Sequence, residues 1–416
     1  LAVGRSSSDV GRSLLYSGEP ALIEFIRATI VARGPMPFAW FMEQALYHPH
    51  NGYYSSGRAA IGRHGDYFTS ISVGPLFGRL MAVQFEEMWR LLGMPARFTI
   101  VEQGAHDGAF ARDVLDAARE HAPQFFGAVR YRIVEPFECL ERKQRQTLGC
   151  FADTTAWSRS IEELEPFTGV HFSNELLDSM PVHLVTAASS TARTWHEKYV
   201  DIDNDGFSFV TGPLSTPALA ARATKMPLLD VGYETEVHIA ALDWMEQVSR
   251  KLQRGFVLAV DYGYARDQFY DLGRRQGTLS CYSKHRRIAS PLENVGHTDI
   301  TAHVEWTAVV EPAEADGLKL VGFVDQHHFI TALATGPLRD AFDGERASPQ
   351  TRRALQTLLH PGLLGMKFQF LGLGRNLPED ATLAGFKFSR NPRAALGLCH
   401  AETENVSAGR DGLQLM

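Results

Sequence analysis

The sequence predicts an α/β chain built on a Rossmann-like sheet, with a helical N-terminal region and an inserted β-rich lid region. Three observations predict it. First, short apolar runs alternate with amphipathic stretches: RFTIVEQ (97–103), AFARDVLDAAREHA (109–122), VRYRIVEP (129–136) and GVHFSNELLD (169–178). Such alternation favours a parallel sheet with helices on both faces. Second, four apolar runs end in polar residues: Glu102, Glu135, Asn174-Glu175 and Asp261. Ligands of open α/β sheets bind outside the carboxyl ends of the strands, so a row of acids there marks a mouth. Third, the alternation breaks at 182–211, where period-two patterning and a turn at Asp203-Asn204-Asp205-Gly206 read as inserted antiparallel strands.

The elements follow in order. Residues 1–95 form a helical N-terminal region. Two helices over 21–46 are broken at Gly34-Pro35-Met36-Pro37, HPHNGYY (48–54) turns at Asn51-Gly52, a glycine-rich loop spans 55–75, and helical spacing returns at 76–92. Residues 96–181 carry the first half of the core and 182–234 the inserted β-rich substrate region. The core resumes at 235–263 with a long helix and the strand FVLAVDYGY (256–264). A lid region follows at 264–317, two last strands lie within 318–376, and a tail covers 377–416.

Bulk properties narrow the function. The 416 residues are 44% hydrophobic and 21% charged, with a net charge of -7. That balance argues against a partner dominated by nucleic-acid phosphate or anionic lipid. The basic runs Arg274-Arg275 and Lys284-His285-Arg286-Arg287 are local exceptions. None of the four cysteines forms a C-x-x-C pair, and no apolar stretch reaches the ~18 residues of a membrane span. Residues 1–20 lack an apolar core, and the expected location is cytoplasmic. The histidines show no H-E-x-x-H spacing, so no metal is expected, and no G-x-S-x-G elbow is present.

The loop Glu102-Gln103-Gly104-Ala105-His106-Asp107-Gly108 holds two glycines four apart. A dinucleotide loop wants three glycines, and Asp107 at the helix start would repel phosphate. An acid two residues before the first glycine suits a ligand with an ammonium group, as in S-adenosylmethionine (SAM). Glu135 is placed to accept hydrogen bonds from ribose hydroxyls. The same residues equally fit a plain tight turn. In SNELLDSMPVH (173–183), Glu175 and Asp178 share a face if the chain turns helically, and two carboxylates there suit a guanidinium. A helix-start acid beside a surface acid is the structural alternative. In GDYFTS (65–70), Asp66, Thr69 and Ser70 either close over a ligand or cap the next helix.

Seven segments together resemble one family: ALYHPHNGYY (45–54), GDYFTSISVGPLFG (65–78), VEQGAHDGAFARDVL (101–115), SNELLDSMPVH (173–183), LAVDYGY (258–264), GTLSCYSKHR (277–286) and GHTDITAHVEW (296–306). In this order they are similar to the signatures of the MidA-like SAM-dependent class I methyltransferases, from about residue 20 to residue 375. The resemblance implies a class I methyltransferase sheet, SAM as cofactor, and methylation of an arginine in a protein partner. Mitochondrial members are linked to respiratory complex I assembly, which implies a respiratory NADH dehydrogenase subunit as the partner and, for a eukaryotic chain, a matrix location. It assigns Glu175 and Asp178 to catalysis. Glu102, Gly104, Gly108, Glu135, Thr69, Ser70 and Asn174 fall to the donor, and Asp261, His297 and Asp299 to the acceptor. Two departures stand out. The family loop is close to E-L-G-P-G-R-G, whereas its middle glycine is His106 here. The family's T-S-P-E is Thr69-Ser70-Ile71-Ser72. His106 leaves open a non-catalytic SAM-binding assembly protein, and a dinucleotide oxidoreductase is the weaker alternative.

Overall fold

Pro20 and Arg33 bound the first helix, α1 (Pro20–Arg33), and the chain leaves it through Gly34 at φ +83. Helix α2 (Phe38–Tyr47) buries Phe38, Phe41, Met42, Ala45 and Leu46, the spacing of one helical face. Between them Met36–Pro37 is a short strand rather than a plain break. It pairs with Val200 and Tyr199 of the inserted sheet, so the N-terminal region is stitched to that sheet. The structure, a computed structural model, describes residues 18–57, 70–203, 206–283, 286–336 and 348–398. Helix α3 (Leu76–Leu91) follows.

The core is the predicted α/β sheet. Strand β1 (Phe98–Gln103) leads to helix α4 (Ala109–His121), β2 (Val129–Val134), helix α5 (Glu138–Thr147), β3 (Thr155–Ser158) and β4 (Phe167–Asn174). The chain then builds β5 (His183–Ala187), β6 (Trp195–Asp203), β7 (Gly206–Gly212) and β8 (Glu234–Val237) as a separate antiparallel sheet with Met36–Pro37. Helix α6 (Ile239–Lys251) returns it to the core as β9 (Leu252–Tyr264). A small sheet holds β10 (Ser280–Ser283) against β11 (Asp299–Thr301). Helix α7 (Trp306–Ala315), β12 (Lys319–Asp325) and β13 (Phe368–Arg375) complete the core.

In space the main sheet runs β12-β13-β9-β4-β1-β2-β3. Strands β9, β4, β1, β2 and β3 are parallel, while β13 runs antiparallel between β9 and β12. After β3 the chain crosses back to place β4 on the other side of β1. That reversal leaves a crevice at the carboxyl ends of β1 and β4, where α/β sheets hold ligands.

Both faces of the sheet are covered, which is why its strands read as apolar runs. On one face α3 and α4 pack Phe77, Phe85 and Phe110 around Phe172, with Phe110 and Phe172 stacked at 4.6 Å. On the other α6 and α7 contribute Trp244, Met245, Trp306 and Val310. Each such side chain contributes about 1.5–3 kcal/mol on burial. The segment read as a tail, as far as residue 398, is not loose: Phe386 and Leu396 are buried.

Candidate functional site

The loop after β1 is built by backbone conformations that side chains disfavour. Gly104 and Gly108 have φ +83 and +81, and His106 has φ +47. Gly108 passes so close to α5 that an added Cβ would stand 3.3 Å from Gln144 Cα. Asp107 accepts the amide of Ala109, the first residue of α4, at 3.1 Å, and Gly108 is the residue at the cap position.

Glu135 follows β2 and is held from two sides. Its carboxylate accepts the Phe137 amide at 3.0 Å and the Gln144 side-chain amide at 2.8 Å. Gln144 also donates to the His106 carbonyl at 3.0 Å and accepts from Trp157 at 2.9 Å, tying the loop to Glu135. Burial pushes Glu135 up to about 7 against these hydrogen bonds.

Beyond β4 the chain makes a tight turn. Glu175 takes φ +52, a left-handed conformation that is uncommon for a side-chain-bearing residue. Asn174 donates to its carboxylate at 2.9 Å. Asp261, near the end of β9, accepts the amides of Leu176, Leu177 and Asp178 at 3.0, 2.7 and 3.3 Å through one oxygen. Its other oxygen accepts the Tyr262 amide at 2.8 Å. Asp261 therefore shapes the turn that carries Glu175 and Asp178. This corrects its expected place on the acceptor side, because its oxygens already face backbone donors. Burial raises Asp261 to about 7. Glu175 and Asp178 are raised well above the carboxylate range by burial, then by Asp261 and their other acidic neighbours. Asp299 joins this cluster through its charge and accepts the Tyr54 hydroxyl at 2.5 Å.

Of these groups Glu135, Asn174 and Glu175 line a cavity of about 380 Å³, with Gly104, His106 and Phe137 among others. The volume suits a small ligand. Tyr47 and Tyr54 complete the wall. Tyr47 stacks on Tyr54 and Phe137, with ring centroids 5.5 and 6.3 Å away, and donates to Ser179 Oγ at 2.9 Å. Sequence reasoning missed both tyrosines and Gln144. The tyrosines had a signal, two aromatics seven residues apart across Asn51-Gly52. A larger open groove of about 1010 Å³ runs between the inserted sheet and residues 272–279, 281 and 287–289, away from the strand-end carboxylates.

Three expected donor or acceptor residues have their side chains turned to other protein groups. Glu102 is only 2% exposed and accepts the Tyr131 hydroxyl at 2.8 Å beneath the loop. Burial pushes it up to about 8, so it supports the loop from below instead of meeting an ammonium directly. Ser70 is buried and its hydroxyl donates to Gln326 at 2.8 Å, while its backbone amide donates to the Glu175 carboxyl, so it meets the site through the main chain alone. His297 is a surface residue whose Nε2 lies 3.7 Å from Glu19, not an acceptor-site group. Asp66, Thr69, Lys284 and His285 lie outside the described residues. Among the described residues no His/Cys/Asp/Glu group could hold a metal ion, and no helix is long and apolar enough to cross a membrane.

The profile of the S-adenosyl-L-methionine-dependent methyltransferase family matches residues 80–324. The chain belongs to that family. A crystallised Burkholderia thailandensis protein bound to S-adenosyl-homocysteine (SAH) is 30% identical, superposes with a TM-score of 0.79, and covers 94% of this chain and 98% of its own. Among named relatives, a Drosophila melanogaster protein called "Protein arginine methyltransferase NDUFAF7 homolog, mitochondrial" is 28% identical over 86% of this chain and 85% of its own length. The Homo sapiens protein of corresponding name is 25% identical over 92% and 90%. SAM is accordingly the cofactor of this methyltransferase. The cavity fits it on its own evidence: Asn174 Oδ1 and His106 Nε2 are buried there without a protein partner. Glu135 would face its ribose, and Gly104 would let backbone approach it.

Proposed function

We propose that this methyltransferase modifies an arginine side chain of a protein partner. The observation that carries the reading is the Glu175–Asp178 turn. Glu175, raised by burial and then by Asp261 and Asp299, lines the donor cavity, and Asp178 in the same turn is raised by burial and then by Asp261, Glu175 and Asp299. Buried acids held this close need a cation or a proton. A guanidinium, planar and rich in donors, suits two carboxylates. The names of the NDUFAF7 relatives point to the same substrate class. The family resemblance makes a respiratory NADH dehydrogenase subunit the first acceptor to test.

Bound SAM supplies a methyl group already activated by its sulfonium. The protein's work is then alignment and exclusion of water. Gln144 fixes Glu135 against the loop, and Asp261 fixes the turn. Glu175 and Asp178 hold the guanidinium with one nitrogen toward the cavity and accept the proton it loses. Tyr47, Tyr54 and Phe137 shield the cavity from solvent.

Glu175→Gln tests the assignment. The variant should bind SAH like the wild type yet fail to transfer labelled methyl groups into protein. A collapse of SAH affinity would remove Glu175 from the acceptor role. Binding of SAH by the wild type without transfer to any offered protein would favour an assembly protein that keeps the fold.

A further inference from the structure

His106 has φ +47 between two glycines that also have positive φ. A histidine is strained there where glycine is not. Its ring lines the cavity, and Nε2 is buried with no protein partner. Nδ1 lies on the other side, 3.8 Å from Asp107 Oδ1. The remaining charged groups of the wall are acids: Glu43, Asp107, Glu135 and Glu175. Among the described residues of that wall, His106 is the one side chain able to carry positive charge.

SAM and SAH each carry one anion, the α-carboxylate of the amino-acid moiety. Beside Asp107, whose carboxyl is held below its ordinary value, that carboxylate is repelled unless a cationic donor meets it. We propose that His106 is the residue that recognises this carboxylate, as an imidazolium with Nδ1 toward Asp107 and Nε2–H toward the ligand. The inference rests on the SAM-binding reading of the same cavity and deepens it. Both ring nitrogens of an imidazolium are donors, which matches an acid on each side. Asp107, from the same loop, and Glu135, at the end of β2, are the charged groups set near the ring. The side chain at the loop's middle position thereby adds a charge-assisted hydrogen bond that a glycine cannot make.

The test is calorimetric titration of the full chain with SAH and with decarboxylated SAH, on wild type, His106→Gly and His106→Asn. Glycine adopts the left-handed backbone freely and asparagine tolerates it, so both variants should fold, as circular dichroism will show. His106→Gly should weaken SAH binding about 10- to 100-fold and leave the decarboxylated ligand unchanged. His106→Asn, which keeps a neutral N–H donor, should lose less. Equal SAH affinity for wild type and His106→Gly, or equal losses for both ligands, would overturn the proposal while leaving the cavity a donor site. Failure of the wild type to bind SAH would overturn both.

Discussion

Asp261 Oδ2 accepts the backbone amide of Leu177 at 2.7 Å, binding the end of β9 to the turn after β4. The same oxygen also takes the amides of Leu176 and Asp178, so one carboxylate fixes three consecutive peptide groups. Asp261→Asn keeps the shape but replaces one accepting carboxyl oxygen with an NH2 group that cannot accept. It should lower the unfolding free energy by about 1–3 kcal/mol. Displacement of Glu175 and Asp178 should slow transfer about 100-fold. Denaturant unfolding and single-turnover transfer measure the two effects. A folded variant with undiminished transfer would show that the turn needs no such anchor.

Tyr47→Phe probes the wall from the N-terminal side. The hydroxyl donates to Ser179 Oγ at 2.9 Å and lies 3.1 Å from the Ser179 carbonyl, one residue past Asp178. The ring stacking is kept in the variant, so SAH affinity should stay close to that of the wild type. Loss of the hydroxyl should raise the KM for the protein acceptor by about 10-fold, the worth of one such hydrogen bond. A change confined to SAH affinity would place Tyr47 on the donor alone.

The strand-end acids were legible in the sequence because each closes an apolar run, and a buried sheet makes such endings conspicuous. What each acid does was not legible. Asp261 and Glu102 look alike in sequence, yet one organises a turn from β9 and the other pairs with Tyr131 under the loop. Those partners lie 84 and 29 residues away and are brought in only by the strand order. The Tyr54–Asp299 contact spans 245 residues and joins a turn to the small sheet, a juxtaposition that no local pattern encodes. His106 was conspicuous as a departure from the family loop. Its unpartnered nitrogen became visible only with the cavity.

His171 gives a stability prediction. It is fully buried on β4 against Trp244, at 5.4 Å between ring centroids, and neither ring nitrogen has a protein partner. Burial lowers it from about 6.5 to about 3. A base depressed on folding contributes stability that is present above the unfolded value and lost as pH falls toward the folded one. His171→Leu removes that linkage. The variant should therefore gain stability relative to the wild type as pH falls from 7 to 5, read by urea unfolding at both values. A difference between the two proteins that is independent of pH would mean that His171 takes up its proton in the folded state as readily as in the unfolded one.

The acid cluster has the opposite linkage, and this separates a cation site from a structural one. Asp261 is raised to about 7, and Glu175 and Asp178 well above the carboxylate range, first by burial. Acids raised on folding contribute stability below their unfolded values, near 4, that is lost as pH rises through the folded values. A guanidinium entering the cluster favours the ionised forms, so its binding must expel protons. Titration of the SAH-saturated protein with acetyl-arginine-amide at pH 7 should release about one proton. The measurement is the dependence of the observed heat on buffer ionisation, compared between phosphate and Tris. Affinity should rise from pH 6 to pH 8, since the free cluster holds protons that compete with the cation. Glu175→Gln should abolish most of the release. Binding that moves no proton would mean that the guanidinium does not reach these carboxylates, and the arginine reading would fall with it.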